Sequence, residues 1–119
     1  MIRTVIAVVD DMFFVSKIRE TGKAAGVVVK FPRTLEAVHE TIEDERPNLV
    51  VVDLHNRKID PFVLASQLKA NNDLKRIPVI GFFSHVQTDL QKQAITAGYD
   101  EVLPRSVFAR DLPKVLAGE

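Results

Sequence analysis

The chain has no cysteine, which excludes a disulfide scaffold and thiolate metal sites. It has no surplus charge of either sign, since 16 Lys and Arg balance 16 Asp and Glu over 119 residues. Composition therefore supplies no bulk drive toward nucleic acid or an anionic membrane, and neither is expected as a partner. No apolar run approaches the ~20 residues needed to span a bilayer. No Gly-x-Gly-x-x-Gly, P-loop or Gly-x-Ser-x-Gly occurs, so dinucleotide, nucleoside-triphosphate and hydrolase readings have no motif behind them. Internal repeats, low-complexity tracts and linkers are also missing. Met1-Ile2-Arg3 leads directly into the first strand-like run without a signal-peptide layout, and a cytoplasmic protein is expected.

What remains is an ordinary globular composition, 46% hydrophobic and 27% charged. Residues 1–119 suit one domain burying roughly two thirds of its unfolded surface. Strand-like runs recur at Thr4–Val9, Val27–Phe31, Leu49–Val52, Ile77–Phe82 and Glu101–Leu103. The stretches between them suit helices, giving five βα units. The first helix starts near Met12 and ends at Gly26. The second follows Pro32, with Leu35, Val38 and Ile42 on one face. The third opens on Asp60-Pro61, a capping acid followed by proline in the first turn, and ends at Asn71-Asn72-Asp73. A fourth spans roughly Thr88–Ala97 and stops at Gly98. A fifth spans roughly Ala109–Leu116, packing through Leu112, Val115 and Leu116. Helices of this length between strands call for parallel pairing with right-handed crossovers. The expected architecture is a flavodoxin-like three-layer α/β/α sandwich, a five-stranded parallel sheet of order 2-1-3-4-5.

Val50, Val51 and Val52 follow Leu49 without interruption, the mark of a strand covered on both faces. That run stops at Asp53. The run Thr4–Val9 likewise ends in Asp10-Asp11. In the order 2-1-3-4-5 the first and third strands are neighbours, so three carboxylates would meet at one sheet edge. Such a cluster repels itself unless a proton or a cation relieves it. A hard dication such as Mg²⁺ takes oxygen ligands of this kind and would let one carboxylate act as a nucleophile toward phosphate. Read without a ligand, Asp10 or Asp11 would cap the first helix and Asp53 would steady a loop.

These residues resemble the receiver domains of bacterial two-component response regulators, over essentially the whole chain. The resemblance rests on Val8-Val9-Asp10-Asp11, on Val52-Asp53-Leu54 with Asp60 following, on Ile77-Pro78-Val79-Ile80, and on Ala97-Gly98-Tyr99-Asp100-Glu101. It implies that Asp53 is the phosphoacceptor. It also implies that Asp10, Asp11, the Asp53 carboxylate and the His55 backbone carbonyl hold Mg²⁺. A histidine kinase, a histidine phosphotransfer protein or a small phosphodonor would supply the phosphate. The domain would act by contact with a downstream protein target or by homodimerising, catalysing at most its own phosphorylation and dephosphorylation.

The sequence departs from that family's pattern on the readout side. Phe83 stands where the family has a Ser or Thr, and Ser84 follows it. Successive strand residues face opposite ways, so Ser84 supplies the hydroxyl only if the strand has ended or bulged there. Arg105-Ser106 replaces Lys-Pro, keeping the charge in a bulkier planar group and removing the proline behind the cis bond expected at that point. Val102 stands at the position of the aromatic switch residue. Arg57 and Pro61 replace the proline and glycine that follow the phosphoacceptor.

His55 and His85 would rim the same pocket by the resemblance, where imidazoles near carboxylates can also take Zn²⁺. As loop histidines they need no role, and His39, within the second helix, is given none. Asp53-Leu54-His55 fits the start of the Asp-x-His-x-x-Gly cobalamin signature, but Lys58 occupies the glycine position and no later Gly-Gly follows. Phe108, Val86 and Leu90 are read either as an apolar patch or as core. Three functions compete: a phosphorylatable receiver, a pseudo-receiver binding proteins without phosphorylation, and a small metal-dependent phosphatase or cofactor-binding domain using Asp53, His55 and His85.

Overall fold

A computed structural model of the chain describes residues 2–84 and 88–119. Five strands alternate with helices. They are β1 (Thr4–Val8), α1 (Met12–Ala25), β2 (Val28–Lys30), α2 (Leu35–Glu45), β3 (Leu49–Asp53), α3 (Pro61–Ala70), β4 (Val79–Phe83), α4 (Thr88–Ala97), β5 (Glu101–Pro104), α5 (Arg105–Arg110) and α6 (Leu112–Ala117). Every strand pairing is parallel and the order is β2-β1-β3-β4-β5, as expected from the alternation of elements. β1 and β3 are neighbours in the register Val5 to Leu49 through Val8 to Val52, so their carboxyl ends lie at one edge.

Side chains of β3 divide strictly between two apolar layers, as the two-residue strand period requires. Val50 and Val52 join Val38, Ile42, Leu64 and Leu68 under α2, α3 and α4. Leu49 and Val51 join Phe14, Ile18, Phe108 and Leu112 under α1, α5 and α6. All five residues of β3 are buried. Phe108 and Leu90 fall in opposite layers, so they form no common patch, and Val86 lies outside the described residues.

Helix boundaries follow their caps. Asp11 caps α1 through the Phe13 and Phe14 N–H groups, and Gly26 ends it at φ 71°. Asp60 caps α3 in the same way, with Pro61 in its first turn. The fifth helix departs from expectation: Ala109–Leu116 is not one helix but the end of α5, a break at Asp111 (φ −98°, ψ 12°), and α6. The apolar spacing runs through Pro113, whose ring would clash with the carbonyl four residues back in a continuous helix. The sequence run Ile77–Phe82 likewise yields a strand only from Val79, after Pro78, which lacks the N–H a ladder needs. Among the described residues no helix is long and apolar enough to cross a membrane.

Candidate functional site

Asp53 ends the central strand and is 8% exposed, the buried charged residue among those described. Its Oδ1 accepts the His55 backbone N–H at 2.8 Å. Burial raises its pKa, with the nearby Asp10 charge adding to the rise; the His55 N–H, the His55 charge and the Arg105 guanidinium pull the other way. Unfolded, this carboxyl titrates near the ordinary 3.8. Between that value and its higher folded value, unfolding releases a proton, so stability falls as pH rises, and above both a fixed penalty remains. Asp53→Asn should therefore be more stable than wild type at neutral pH, by on the order of 1 kcal/mol. The gain should vanish below the unfolded pKa. Thermal melts across acid to neutral pH check it, and equal melting temperatures at neutral pH would contradict it.

The three expected acids share this edge but do not share one task. Asp10 is exposed and lies close enough to Asp53 to bear on its ionisation. Asp11 has both oxygens engaged. Oδ1 accepts from Phe13 N–H at 2.9 Å and Phe14 N–H at 3.3 Å, and Oδ2 accepts from Arg105 Nη2 at 2.8 Å. The Arg105 hydrogen bond is the main cause holding the Asp11 carboxyl below the usual range. Among the described residues no three His, Cys, Asp or Glu side chains are grouped to hold a metal ion. In this arrangement Asp11 Oδ2 accepts from Arg105 and Asp53 Oδ1 accepts from the His55 N–H. A guanidinium stands beside the carboxylates.

Arg105 is fixed from below as well. Its guanidinium carbon lies 4.6 Å from the centroid of the Phe14 ring, within cation–π range. Phe14 stacks on Phe82 at 5.0 Å and on Phe108 at 5.6 Å, and Phe82 stacks on Phe108 at 4.5 Å. This three-ring floor was not read from the sequence. Its only trace there is one phenylalanine in each of α1, β4 and α5, and nothing local ties them together.

Phe82, the register partner of Asp53, lies on the side of α1 and α5. Phe83 is 1% exposed and belongs to the opposite layer with Val52, Leu54 and Tyr99. Its ring is core, not a plug over Asp53. Ser84 is exposed and borders a groove with Phe13, Lys17, Arg105 and Ser106. Among the described residues Ser84 makes no hydrogen bond to Asp53, whose Oδ1 accepts from the His55 N–H. Val102 is half-buried against the layer holding Phe83. His39 Nε2, on α2, lies 2.6 Å from Gln67 Oε1 on α3. His85 lies outside the described residues.

The Ala97-Gly98-Tyr99-Asp100 segment serves as glue. Asp100 Oδ2 accepts from Lys69 Nζ at 2.9 Å and from Val79 N–H at 2.8 Å. The Tyr99 hydroxyl donates to the Pro61 carbonyl at 2.8 Å, and burial drives its pKa up. Gly98 has φ 117° and a Cβ there would meet Lys69 Cγ at 2.6 Å, which no side chain tolerates without displacing that lysine.

No family model matches the chain, and no curated protein sequence matches it. Solved structures do. The chemotaxis response regulator CheY4 of Vibrio cholerae superposes with TM-score 0.84 at 15% identity, covering 99% of this chain and 98% of that one. A CheY-like response regulator receiver domain protein from Methanospirillum hungatei gives 0.82 at 18%, covering 99% and 93%. The phosphorylated cyanobacterial phytochrome response regulator RcpA gives 0.82 at 20%, covering 99% and 91%. At these identities the likeness establishes the fold, that of response regulator receiver domains.

Proposed function

We propose that this chain is a signalling module of receiver fold that works by binding other proteins, with its Asp53 edge set by a resident arginine and not switched by phosphorylation. The Arg105 bridge to Asp11, seated on Phe14, carries this reading. It sets a permanent positive charge beside the acids and engages Asp11 Oδ2. The readout side agrees, because Phe83 is buried in the core and Ser84 makes no bond to Asp53. A binding role is supported beside this edge by Met12 and Phe13, which are 62% and 91% exposed at the start of α1, since apolar side chains gathered on a surface mark interaction sites.

The second reading keeps Asp53 as phosphoacceptor, served by a histidine kinase or phosphotransfer protein with Mg²⁺. Its support is the position of Asp53 at the carboxyl end of β3 with Asp10 close by, where open α/β sheets place their chemistry. One experiment separates the two. The chain is incubated with Mg²⁺ and a small acyl phosphate, alongside Asp53→Asn, and intact masses are recorded. Unchanged mass in both is expected. A phosphoryl adduct on wild type that Asp53→Asn lacks would establish the second reading in place of the first.

A further inference from the structure

A cavity of about 290 Å³ lies beyond the carboxyl ends of β1 and β2, bordered by the first half of α1 and the loop that follows Asp53. Its apolar walls are Val9, Val15 and Ile59, which are 9%, 6% and 3% exposed, together with the half-buried Phe31. Its rim carries three cations, Arg19, Arg33 and Lys58, against the single carboxylate of Asp10. Two net positive charges thus gather at one opening in a chain whose formal charge is zero. Among the described residues none of the three cations has a carboxylate partner.

The rim is also shaped. Arg19 lies over the Phe31 ring at 5.0 Å, which holds its guanidinium at the cavity wall. Asn56 Oδ1 accepts the Lys58 and Ile59 N–H groups at 2.9 and 3.0 Å, an Asx turn that sets Lys58 on the rim and Ile59 in the wall. An arginine fork and a lysine point charge are the usual means of holding a phosphate. The apolar walls add a place for a carbon body, and the volume is at the small end of ligand pockets.

From this juxtaposition we propose that the cavity binds a small organic phosphate monoester, its phosphate between Arg33 and Lys58 and its carbon body against Phe31, Val9 and Ile59. The cavity shares Asp10 with the Asp53 edge but is not lined by Asp53, and the proposal stands whether or not Asp53 accepts phosphate. It is tested on the full chain by backbone amide NMR titration with phenyl phosphate, inorganic phosphate and benzyl alcohol as separate probes. Phenyl phosphate should saturate, with the largest shifts at residues 9–12, 31–33 and 56–59. The doubly substituted Arg33→Ala, Lys58→Ala chain should bind it at least about tenfold more weakly, as loss of charge-assisted hydrogen bonds dictates. Both side chains are exposed, so this variant should keep the wild-type melting temperature. Inorganic phosphate should bind more weakly than phenyl phosphate, and benzyl alcohol should not saturate. No saturation by phenyl phosphate, or undiminished binding by the double variant, would overturn the site. Equal binding of the two phosphates would overturn the role of the apolar walls.

Discussion

Phe83→Ser, which restores a small hydroxyl residue at the position where receiver domains carry one, is expected to destabilise the chain by about 3–5 kcal/mol and to gain nothing at Asp53. The ring is 1% exposed and belongs to the layer holding Val52, Leu54, Ile59 and Tyr99. Truncation leaves a cavity there, and the serine hydroxyl would enter an apolar layer without a prepared partner. A domain of this size loses about 4 °C of melting temperature per kcal/mol, so a fall of roughly 12–20 °C should be read in a thermal melt. Against a typical total stability of about 5–15 kcal/mol, that removes a large share of the margin. A variant within about 1 kcal/mol of wild type would show that the ring is not a core residue. The expected loss also explains why the readout hydroxyl cannot be regained here by one substitution: the position has become part of the packing.

The same residue shows where sequence reasoning reached and where it stopped. Buried strands could be read from Leu49–Val52 and Thr4–Val9 because an unbroken apolar run admits few other structures, and the strand order followed from alternation with helices. Caps were equally legible, since Asp11, Gly26, Asp60 and Pro61 act through their own neighbours. That Phe83 and Ser84 face opposite ways was also legible. What each one meets was not, because that depends on α3, α4 and α5, which arrive from elsewhere in the chain. The break between α5 and α6 was missed because the spacing of Leu112, Val115 and Leu116 was weighed above Pro113. Arg105 was recognised as a retained charge, yet its partner lies 94 residues earlier. No local pattern distinguishes an arginine waiting for a phosphate from one already bound to Asp11.

That distinction is what Arg105→Ala tests. Its ion pair with Asp11 is only half-buried, with 37% and 33% of the two side chains exposed, so the pair is worth at most about 1 kcal/mol. The contact with Phe14 adds about 0.5–1 kcal/mol. The variant should therefore lose about 0.5–2 kcal/mol at neutral pH. Asp11 has a depressed pKa, so its part of the stability is present above the ordinary value of 3.8 and is lost as pH falls through the folded value. Wild type and variant melting temperatures should accordingly converge in acid. The larger effect is on divalent ions. In wild type a guanidinium beside Asp11 and Asp53 repels a second cation, a term of a few kcal/mol per charge at a partly exposed site. Without it Asp11 Oδ2 is free at the sheet edge it shares with Asp10 and Asp53, and its charge is left uncompensated. Mg²⁺ should bind Arg105→Ala at least about tenfold more tightly than wild type, since 1.4 kcal/mol suffices for that factor. The variant's melting temperature should rise with added Mg²⁺ while that of wild type stays nearly constant, because a ligand stabilises only the state that binds it. Arg105→Lys should fall between them, as lysine keeps the charge but not the planar fork that spans Asp11 and covers Phe14. Wild type binding Mg²⁺ as tightly as Arg105→Ala would mean that the arginine yields its place to the ion, and the edge would then be open to phosphoryl transfer after all.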